Sequence, residues 1–390
     1  MKLNVGVFFG GASVEHEISI ISAVQAMGSL NREKFEVVPL YISKSGELYT
    51  GAGLTDIERY KDLDALLAEC VRVDVAKSGK QVLVKRALPK AFDKKPLTAL
   101  DMAFPIVHGT NCEDGALQGW FEVLGLPYVG CDVAASAVGM DKLLFKQICR
   151  QNGLPVVDSV AFHAKEWIRR REELTGEIAA LTYPVVVKPV NLGSSVGISR
   201  VAAPDDLENA VNLALSFSMR VLVERAVTQL REINCSVLGD AQECEASVCE
   251  EPITAGEILS YEDKYTSKGR GGSKGMTSLK RKLPADISAE KTLEIQELSE
   301  RVFRAVGASG VVRIDYLMDS ADNDRVYVNE INTIPGSLSF YLWEATGMKY
   351  PELLEKLIGL AHKRARQRAN LVFTYDTNIL ANNGLGGVKK

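Results

Sequence analysis

The chain has few of the residue types that build metal centres and no long apolar segment. It contains only four histidines, with no H-x-x-x-H pair, and its seven cysteines are scattered, odd in number and without a C-x-x-C. This pattern favours reduced cytosolic thiols over a zinc site or a disulfide framework. No apolar run approaches the roughly 18 residues needed to span a membrane. The N-terminal residues predict a strand rather than a signal peptide, so we expect a cytoplasmic protein without a membrane partner.

The composition is that of an ordinary globular protein. Hydrophobic residues make up 46% of the chain, charged residues make up 25%, and the formal net charge is −4. This balance disfavours nucleic acid as a partner but is compatible with a local basic site for a triphosphate. A chain of 390 residues is long enough for two or three domains and a large buried core.

The N-terminal third alternates strand and helix patterns. Apolar segments at residues 3–9, 35–42 and 102–107 predict strands, and residues 13–30 predict a helix start and an amphipathic helix. This alternation is typical of a parallel sheet with helices on its faces. Ligands of such sheets bind at the carboxyl ends of the strands, where we expect Gly10, Gly11 and His108.

The rest of the chain predicts helices mixed with antiparallel strands. Helices are predicted at residues 143–150, 204–217, 290–306 and 351–366, and strands at residues 184–189, 220–224, 232–238 and 245–250. Residues 258–284 are polar and rich in glycine and lysine. A loop of this length in a compact enzyme is usually a mobile lid or a disordered insert, and we assign a lid to residues 257–283.

Residues 313–336 hold the most informative pattern, RIDYLMDSADNDRVYVNEINTIPG. Two β-branched and aromatic segments flank the polar turn SADND, which predicts a hairpin. Glu330 and Asn332 are two apart and project from one face of a strand, and Asp315 joins them when the hairpin folds back. Two carboxylates and a carboxamide suit Mg²⁺ bound together with nucleotide phosphates. In isolation this pattern more often indicates a solvated hairpin. The other motifs of the chain decide between that interpretation and a magnesium site.

A second pattern, YPVVVKPVNLGSSVG, predicts a phosphate site. It places Lys188 at the end of an apolar strand and before a loop of glycine and serine at residues 193–197. The backbone N–H groups of such a loop approach phosphate oxygens, and the lysine ammonium neutralises them. The lysine precedes the glycines, so this is not a Walker A loop. Lys142, in MDKLLFK, adds a second cation.

Several motifs in one order make the chain resemble the ATP-grasp superfamily and, more narrowly, the D-alanine–D-alanine ligases. They are FFGGASVEHEISIISA, HGTNCEDGALQG, MDKLLFK, VVKPVNLGSSVG, LVERAV, REI, YEDKY, RIDY and NEINTIPG. The resemblance extends from residue 3 to about residue 360. It implies an ATP-grasp fold, α/β and α+β, preceded by an N-terminal doubly wound parallel-sheet domain. We predict domains at residues 1–135, 136–218 and 219–370, with a tail at residues 371–390 and ATP between the last two domains.

The resemblance also implies a role for each matching position. It assigns ATP binding to Lys142, Lys188, Ser195, Glu224, Val227, Glu232 and Lys264. It assigns two ions of magnesium or manganese to Asp315, Glu330 and Asn332. It assigns catalytic positions to Glu15, Ser194, Tyr265, Arg313 and the backbone N–H of Gly336. It places His108 at the first D-alanine, and Tyr341 and Leu342 at the second substrate.

The activity implied is ATP-dependent joining of two D-alanines through a D-alanyl phosphate, for peptidoglycan precursor synthesis. The family precedent is a homodimer. Two departures concern the acceptor. Tyr341 occupies a position where the family has a serine that binds the second substrate's carboxylate, so we expect Ser337, Ser339 or a lid cation to bind it instead. The lid is also long and basic, with Lys268, Arg270, Lys274, Lys280, Arg281 and Lys282. The alternative is therefore a ligase that joins D-alanine to D-serine, D-lactate or another amine. Cys112 also replaces a common glycine, and we expect it to be a small, partly buried filler.

Other functions fit the residues less well. FFGGASVE lacks the spacing of a dinucleotide-binding fingerprint, which disfavours an oxidoreductase. An ATP-binding regulator without catalysis is disfavoured because every charged catalytic position is filled. His16 is expected to be a solvated residue at a helix start rather than a general base.

Overall fold

The computed structural model describes residues 2–89, 95–193, 196–253 and 281–375. Four of the predicted site residues therefore lie outside the described residues: Ser194, Ser195, Lys264 and Tyr265. Most of the predicted lid at 257–283 and of the predicted tail at 371–390 also lies outside them.

The first sheet contains seven strands from the N-terminal third. Its strands are β1 (Leu3–Gly10), β2 (Phe35–Ile42), β3 (Leu48–Thr50), β4 (Val71–Ser78), β5 (Gln81–Arg86), β6 (Thr98–Leu100) and β7 (Met102–Val107). Their order is β6-β5-β4-β3-β2-β1-β7. β1 pairs in parallel with β2 and β7, which confirms the predicted parallel strands. The other four strands extend the sheet in antiparallel pairings that the alternation pattern did not indicate.

Helices cover both faces of this sheet. They include α1 (His16–Ser29), α2 (Leu63–Glu69) and α3 (Ala116–Leu124). The next helix, α4 (Val133–Met140), packs instead in the core of the third sheet through Ala135. The buried strand β1 has an almost continuous apolar sequence because helices pack on both of its faces. Phe9 contributes to the core beneath α1, whereas Phe8 packs with Phe121 of α3 on the opposite face.

The second sheet has four antiparallel strands, in the order β10-β9-β11-β8. This part of the chain comprises α5 (Lys142–Gln151), β8 (Ser159–His163), α6 (Ala164–Arg169), α7 (Arg171–Ala179), β9 (Val185–Pro189), β10 (Ser199–Val201), α8 (Leu207–Leu215) and β11 (Arg220–Arg225). Alternate residues of β9 and β11, such as Val187 and Val223, point into one core with Trp167 and Val211.

The third sheet has five strands, in the order β14-β13-β12-β15-β16. Its part of the chain comprises β12 (Leu230–Gly239), β13 (Cys244–Pro252), β14 (Arg281–Lys282), α9 (Ala289–Ala305), β15 (Gly310–Asp319), β16 (Arg325–Asn332), α10 (Phe340–Thr346) and α11 (Tyr350–Ala369). α9 buries Ile295 and Phe303 against the sheet. α5 also packs in this core through Phe145 and Cys149, which directs its N-terminal end towards the third sheet.

The predicted domain boundaries at residues 135 and 218 stay a prediction. β11 pairs with β8 and β9, so residues 220–225 belong to the second sheet. α11 packs back onto the first core through Leu353, Leu354 and Leu357. Within the described ranges, every helix is too short or too polar to cross a membrane.

Candidate active site

The carboxyl edge of the first sheet holds two of the predicted site features. β1 ends at Gly10, whose φ is +92°, and a Cβ there would lie 2.2 Å from the carbonyl oxygen of Ile42. Only glycine fits this turn. His108 follows β7 and is 3% exposed.

His108 is a neutral residue of fixed tautomer. Its Nδ1 lies 2.9 Å from the carbonyl oxygen of Ile334, so Nδ1–H donates. Its Nε2 therefore accepts from the Ser22 hydroxyl, at 3.1 Å. Burial lowers the pKa of His108 to about 4. The imidazole thus joins the end of β7 to the loop before Gly336.

Glu15 lies at the start of α1 and extends towards two glycines. A Cβ added to Gly109 would be 2.9 Å from Glu15 Oε2, and one added to Gly193 would be 2.8 Å from the same oxygen. A side chain at either position would therefore displace Glu15. The carboxylate is adjacent to residue 193, the last described residue before the predicted serine position.

The prediction that His16 is solvated is wrong. The ring is 1% exposed, its Nδ1 lies 2.6 Å from the Gly11 carbonyl oxygen, and its Nε2 lies 3.0 Å from the Tyr41 hydroxyl. Burial lowers its pKa. His16 is a structural residue that fixes the glycine turn after β1. Cys112 is also more buried than expected, at 2% exposure, and its Sγ lies 4.0 Å from the Gly10 carbonyl oxygen.

The β15–β16 hairpin brings the predicted metal and catalytic residues together. Asp315 lies directly opposite Glu330, and Arg313 lies directly opposite Asn332. The Arg313 guanidinium binds Asp315 through two contacts, Nε to Oδ1 at 2.6 Å and Nη2 to Oδ2 at 2.7 Å. Asn332 Nδ2 donates to the same Oδ2 at 3.0 Å. Burial alone would lower the pKa of Arg313, but the charge of Asp315 outweighs burial and raises this pKa well above its ordinary value. The guanidinium is therefore charged.

This donor set fits a hard divalent cation completed by other ligands. The described residues contain no group of three or more histidine, cysteine, aspartate and glutamate side chains that would hold a metal on its own. Asp315 and Glu330 nevertheless place two carboxylates opposite each other, which is unfavourable unless cations lie beside them, and Arg313 and Lys142 contact one carboxylate each. Mg²⁺ is commonly bound by one or two carboxylates together with phosphates and water. The residues therefore match a metal that binds with a nucleotide.

Lys142 is presented to this hairpin by the first turn of α5. Asp141 caps the helix by accepting from the Leu144 N–H at 2.9 Å. Lys142 Nζ lies 3.2 Å from Glu330 Oε2 and donates to the Leu192 carbonyl oxygen at 2.9 Å. The ammonium thus lies between a hairpin carboxylate and the loop that follows β9.

Lys188 lies on β9 within a buried group of three charges. Its Nζ is 2.5 Å from Glu224 Oε2 on β11, and Lys146 Nζ is 2.7 Å from Glu224 Oε1. Burial would raise the pKa of Glu224, but the two ammonium groups outweigh it and lower the pKa to about 2. Burial likewise opposes the charge of Lys188, but Glu224 outweighs it and raises the pKa. For Lys146 burial dominates, and its pKa is lowered.

The second and third sheets meet at this point. Lys188 Nζ donates to Asn329 Oδ1 of β16 at 3.2 Å, one residue before Glu330. Glu232, on β12, is close enough to contribute to the raised pKa of Lys188. Val227 lies between the two sheets in a small apolar cluster with Tyr327. The predicted ATP residues therefore lie next to the predicted metal residues, and the boundary between the two sheets is the cleft in which ATP is predicted to bind.

The turn after β16 has an unusual backbone. Three consecutive residues without a glycine among them, Ser337, Leu338 and Ser339, have φ values of +50°, +53° and +49°. The left-handed conformation costs about 1–2 kcal/mol for each such residue. The Ser337 N–H donates to Ser22 Oγ at 2.9 Å, and its hydroxyl donates to Gln25 at 2.7 Å. These bonds to α1 hold the strained turn next to Gly336, and such strain is concentrated at functional sites.

Tyr341 and Leu342 lie in the first turn of α10, and both are buried. The Tyr341 hydroxyl donates to Glu250 Oε1 at 2.8 Å, and the Arg281 guanidinium lies 4.0 Å from the centre of its ring. Burial raises the pKa of Tyr341, so the phenol is neutral. Leu342 is fully buried in the structure and makes no polar contact through its side chain.

Sequence reasoning did not identify three charged residues at this site. Lys146 lies one turn after Lys142 on α5, a spacing that was visible in the sequence. Glu113 and Glu250 had no comparable signal, apart from the position of Glu113 inside HGTNCEDG, whereas Arg281 is one of the basic residues expected near the second substrate. Glu113 accepts from the Gly109 N–H at 3.0 Å, and burial raises its pKa to about 8.

Comparisons with known proteins show the family of the chain. Residues 4–131 match the family model "D-ala D-ala ligase N-terminus", and residues 148–359 match "D-ala D-ala ligase C-terminus". The chain is 39% identical over 381 residues to a D-alanine–D-alanine ligase of Thermosipho melanesiensis, covering 97% of this chain and 98% of that protein. It is 38% identical over 381 residues to a D-alanine–D-alanine ligase of Caldicellulosiruptor bescii, covering 96% and 99%.

Solved structures give the same result. The VanG D-Ala:D-Ser ligase of Enterococcus faecalis has a TM-score of 0.78 and 33% identity, covering 93% of this chain and 100% of that chain. The D-alanine–D-alanine ligase of Coxiella burnetii has a TM-score of 0.75 and 32% identity, covering 94% and 96%. The predicted ATP-grasp fold is therefore confirmed, and the chain belongs to the D-alanine–D-alanine ligase family.

Proposed function

We propose that this protein joins two D-alanines to D-alanyl-D-alanine and cleaves ATP to ADP and phosphate, for peptidoglycan precursor synthesis. The observation on which the proposal depends is the arrangement of charge in the cleft. Lys142 and Lys188 face Asp315 and Glu330 across it, and Arg313 lies beside them on the third sheet. This arrangement suits a triphosphate with its metal next to a reacting carboxylate.

The first step activates the first D-alanine. Its carboxylate oxygen attacks the γ-phosphorus of ATP, the bond from that phosphorus to the β,γ-bridging oxygen breaks, and ADP leaves. This step brings negative groups together, so Lys142 and Lys188 lower its barrier by neutralising the phosphates. A bound divalent metal, held by Asp315, Glu330 and Asn332, supplies further charge neutralisation.

The second step forms the peptide bond. The neutral amine of the second D-alanine attacks the acyl carbon, inorganic phosphate leaves with the bridging oxygen, and the amine loses a proton. Negative charge develops on the acyl oxygen during this attack. Arg313 and the backbone N–H of Gly336 are assigned to stabilise it, and the strained turn that follows Gly336 supports a fixed orientation for that N–H.

The remaining residues are assigned to binding. Glu15, which lies against residue 193, is assigned to the ammonium of the first D-alanine, because a carboxylate forms a charge-assisted hydrogen bond with it. Neutral His108 is assigned to the wall of the same pocket. Glu224, Val227 and Glu232 are assigned to the adenine and ribose, supported by their position between the second and third sheets.

The test is a substrate panel scored by the mass of the product. With ATP, magnesium and D-alanine, we expect phosphate release that matches the amount of D-alanyl-D-alanine formed. Release of phosphate without a dipeptide, or no release, would contradict the proposal. L-alanine and an assay without ATP serve as controls.

A second acceptor is supported by one observation. Tyr341 occupies the position of a family serine, and the VanG enzyme with which the chain shares its fold is a D-Ala:D-Ser ligase. Comparison of kcat/KM for D-alanine, D-serine and D-lactate as acceptors decides between them. A preference for D-serine or D-lactate would change the acceptor and leave the ligase chemistry intact.

Three finer features are inferred from the resemblance. They are magnesium or manganese bound as two ions, a homodimer, and a cytoplasmic location. Titration of activity with each metal and sedimentation of the purified chain test the first two.

A further inference from the structure

The third sheet carries a polar row that extends beyond the proposed metal ligands. Four residues on adjacent strands are directly paired in register: Glu250, Asn234, Asp315 and Glu330. Directly paired residues project from the same face of a sheet. The row therefore runs from the proposed metal side at β16 to the opposite side at β13. A neighbouring row places Arg313 between Ser236 and Asn332.

The order of the row assigns a place to the acceptor. The phosphates belong at the β16 end, where Lys142 contacts Glu330. The reacting acyl carbon belongs at Arg313, near the middle. The amine attacks the planar acyl group from one face, and the acceptor must bind where the phosphates do not. With the phosphates at the β16 end, the remaining part of the row lies towards β13, at Glu250. This step depends on the function proposed above.

The β13 end is a closed and ordered group of side chains. Glu250 is 2% exposed and accepts from Asn234 Nδ2 at 3.0 Å. Arg281, on β14, lies 2.9 Å from Glu250 Oε2 through its Nη1 and stacks over the ring of Tyr341. The Tyr341 hydroxyl already donates a hydrogen bond to Glu250. Glu250 and Tyr341 are also close enough to Arg313 to raise the pKa of its guanidinium.

The chemistry of the acceptor selects among these groups. Its amine must be neutral to attack, so the α-carboxylate is the remaining charge by which the reactive form is recognised. A planar guanidinium binds a carboxylate through two parallel hydrogen bonds, and Arg281 is held with one face against an aromatic ring. The Tyr341 phenol is a poorer candidate because its proton is donated to Glu250.

We propose that Arg281, held in place by Glu250 and by the ring of Tyr341, binds the α-carboxylate of the acceptor amino acid. Tyr341 acts as a positioning residue in this subsite, and Glu250 orients the guanidinium. The subsite makes a free α-carboxylate a requirement for the acceptor. It also explains how a chain with tyrosine in place of the family's serine retains a ligand for that carboxylate.

The experiment separates the two half-reactions. Hydroxylamine intercepts the acyl phosphate, since its nitrogen attacks the acyl carbon and phosphate leaves, so hydroxamate formation from ATP and D-alanine reports the first half alone. Acceptor KM is then measured for D-alanine and for D-alaninamide, which lacks the carboxylate. The wild-type chain should form hydroxamate and should strongly prefer D-alanine to D-alaninamide. No hydroxamate from the wild-type chain would contradict the proposed function itself.

Arg281→Met is the central variant. We expect its hydroxamate rate to stay within about 2-fold of the wild type and its acceptor KM for D-alanine to rise about 10- to 100-fold, the effect of one charge-assisted hydrogen bond. Its preference for D-alanine over D-alaninamide should disappear. Arg281→Lys should be intermediate, because it keeps the charge without the planar fork. An unchanged acceptor KM in Arg281→Met, with normal hydroxamate formation, would overturn the inference.

Two further variants keep the test decisive. In Arg281→Met, the buried Glu250 carboxylate loses its contact with the Arg281 guanidinium. The double variant Arg281→Met/Glu250→Gln removes that unpaired charge, while the glutamine amide still contacts Asn234 and Tyr341. The double variant should show the same rise in acceptor KM, and loss of its hydroxamate formation would assign Arg281 to the first half-reaction instead. Tyr341→Phe keeps the ring against Arg281 but loses the hydrogen bond to Glu250, so acceptor KM should rise by about 3-fold while the preference for D-alanine over D-alaninamide stays. An increase as large as that of Arg281→Met would assign the carboxylate to the hydroxyl and overturn the inference.

Arg171→Met provides the matched control. Arg171 also lies over an aromatic ring, 5.2 Å from the centre of Trp167, and pairs with Glu208, but it belongs to the surface of the second sheet's domain. Its substitution should leave both half-reactions and the acceptor preference unchanged.

Discussion

The two walls of the proposed ATP cleft balance charge in different ways. On the second sheet, Glu224 is 1% exposed, and each of its carboxylate oxygens faces one ammonium, Lys146 or Lys188. On the third sheet, the side chains of Asp315 and Glu330 are 16% and 29% exposed and lie opposite each other. One wall therefore buries a single carboxylate between two ammonium groups. The other places two carboxylates opposite each other, partly exposed, with one cation beside each, Arg313 or Lys142.

This difference separates stability from activity. Removing one partner from a buried group of charges leaves the others unpaired in a medium of low polarity. Removing Glu330 from the partly exposed wall loses a contact with Lys142 but also removes the repulsion from Asp315, so the penalty is smaller, and a proposed ligand for a cation is lost. The same substitution of glutamate by glutamine should therefore act mainly on stability at the first wall and mainly on activity at the second.

The largest effect is expected for Glu224→Gln on the buried wall. The substitution leaves Lys146 and Lys188 facing a neutral amide, and it should lower the free energy of unfolding by about 3–5 kcal/mol. Urea denaturation of the wild type and the variant measures this. Glu173→Gln, which breaks an exposed contact with Arg170, is the control and should leave the denaturation midpoint unchanged. A loss below about 1 kcal/mol in Glu224→Gln would contradict the assignment of a buried, mutually dependent group.

A smaller effect on stability, with a large effect on activity, is expected for Glu330→Gln on the partly exposed wall. Its free energy of unfolding should fall by about 1–2 kcal/mol, because Lys142 loses a charged partner while Asp315 loses a like-charged neighbour. Its kcat should fall about 100- to 1,000-fold because charge neutralisation at the phosphates is weakened. The apparent affinity for magnesium, measured by titrating the activity, should fall as well. Glu300→Gln on α9, where the carboxylate contacts Arg304, is the control for both assays. Wild-type activity with the wild-type dependence on magnesium would remove Glu330 from the proposed metal site.

The sequence predicted those parts of the fold that depend on local pattern. The apolar segment at residues 3–9 is β1, and the polar turn in SADND joins β15 to β16, which brings Asp315 opposite Glu330 as expected. In both cases neighbouring residues in the sequence specify the element and its face. The roles of the individual site residues stay predictions.

The contacts that the sequence did not predict depend on distant partners. His16, at the start of α1, is buried because Tyr41 of β2 covers its ring. No local sequence pattern predicts this contact. Glu250 joins the polar row through its pairing with Asn234, on a strand with an irregular register between Cys235 and Val237. A shift of one residue would move Glu250 to the other face.

The last comparison is between Glu224 and a second buried carboxyl, Glu113, which is 9% exposed. Burial, together with the neighbouring charge of Glu15, raises the pKa of Glu113 to about 8, from 4.5. Glu113 contacts the Gly109 N–H and the Thr333 hydroxyl, so it links the loop after β7 to the loop after β16. Unlike Glu224, it has no cation among these contacts, and its folded form therefore holds a proton at neutral pH.

Glu113→Gln tests this difference through pH. Because the pKa of Glu113 is raised in the folded state, the wild-type chain loses stability as pH rises from about 4.5 to about 8. Glutamine cannot ionise, so the variant lacks this loss. Its free energy of unfolding relative to the wild type should rise by about 1 kcal/mol for each pH unit in that interval and level off above it. Urea denaturation at pH 5, 6, 7 and 8 measures the trend, and Glu172→Gln, at an exposed position on α7, should follow the wild-type curve. If the free energies of unfolding of Glu113→Gln and the wild type change in parallel with pH, Glu113 is ionised in the folded protein. A cation or a further hydrogen-bond donor would then stabilise its buried charge.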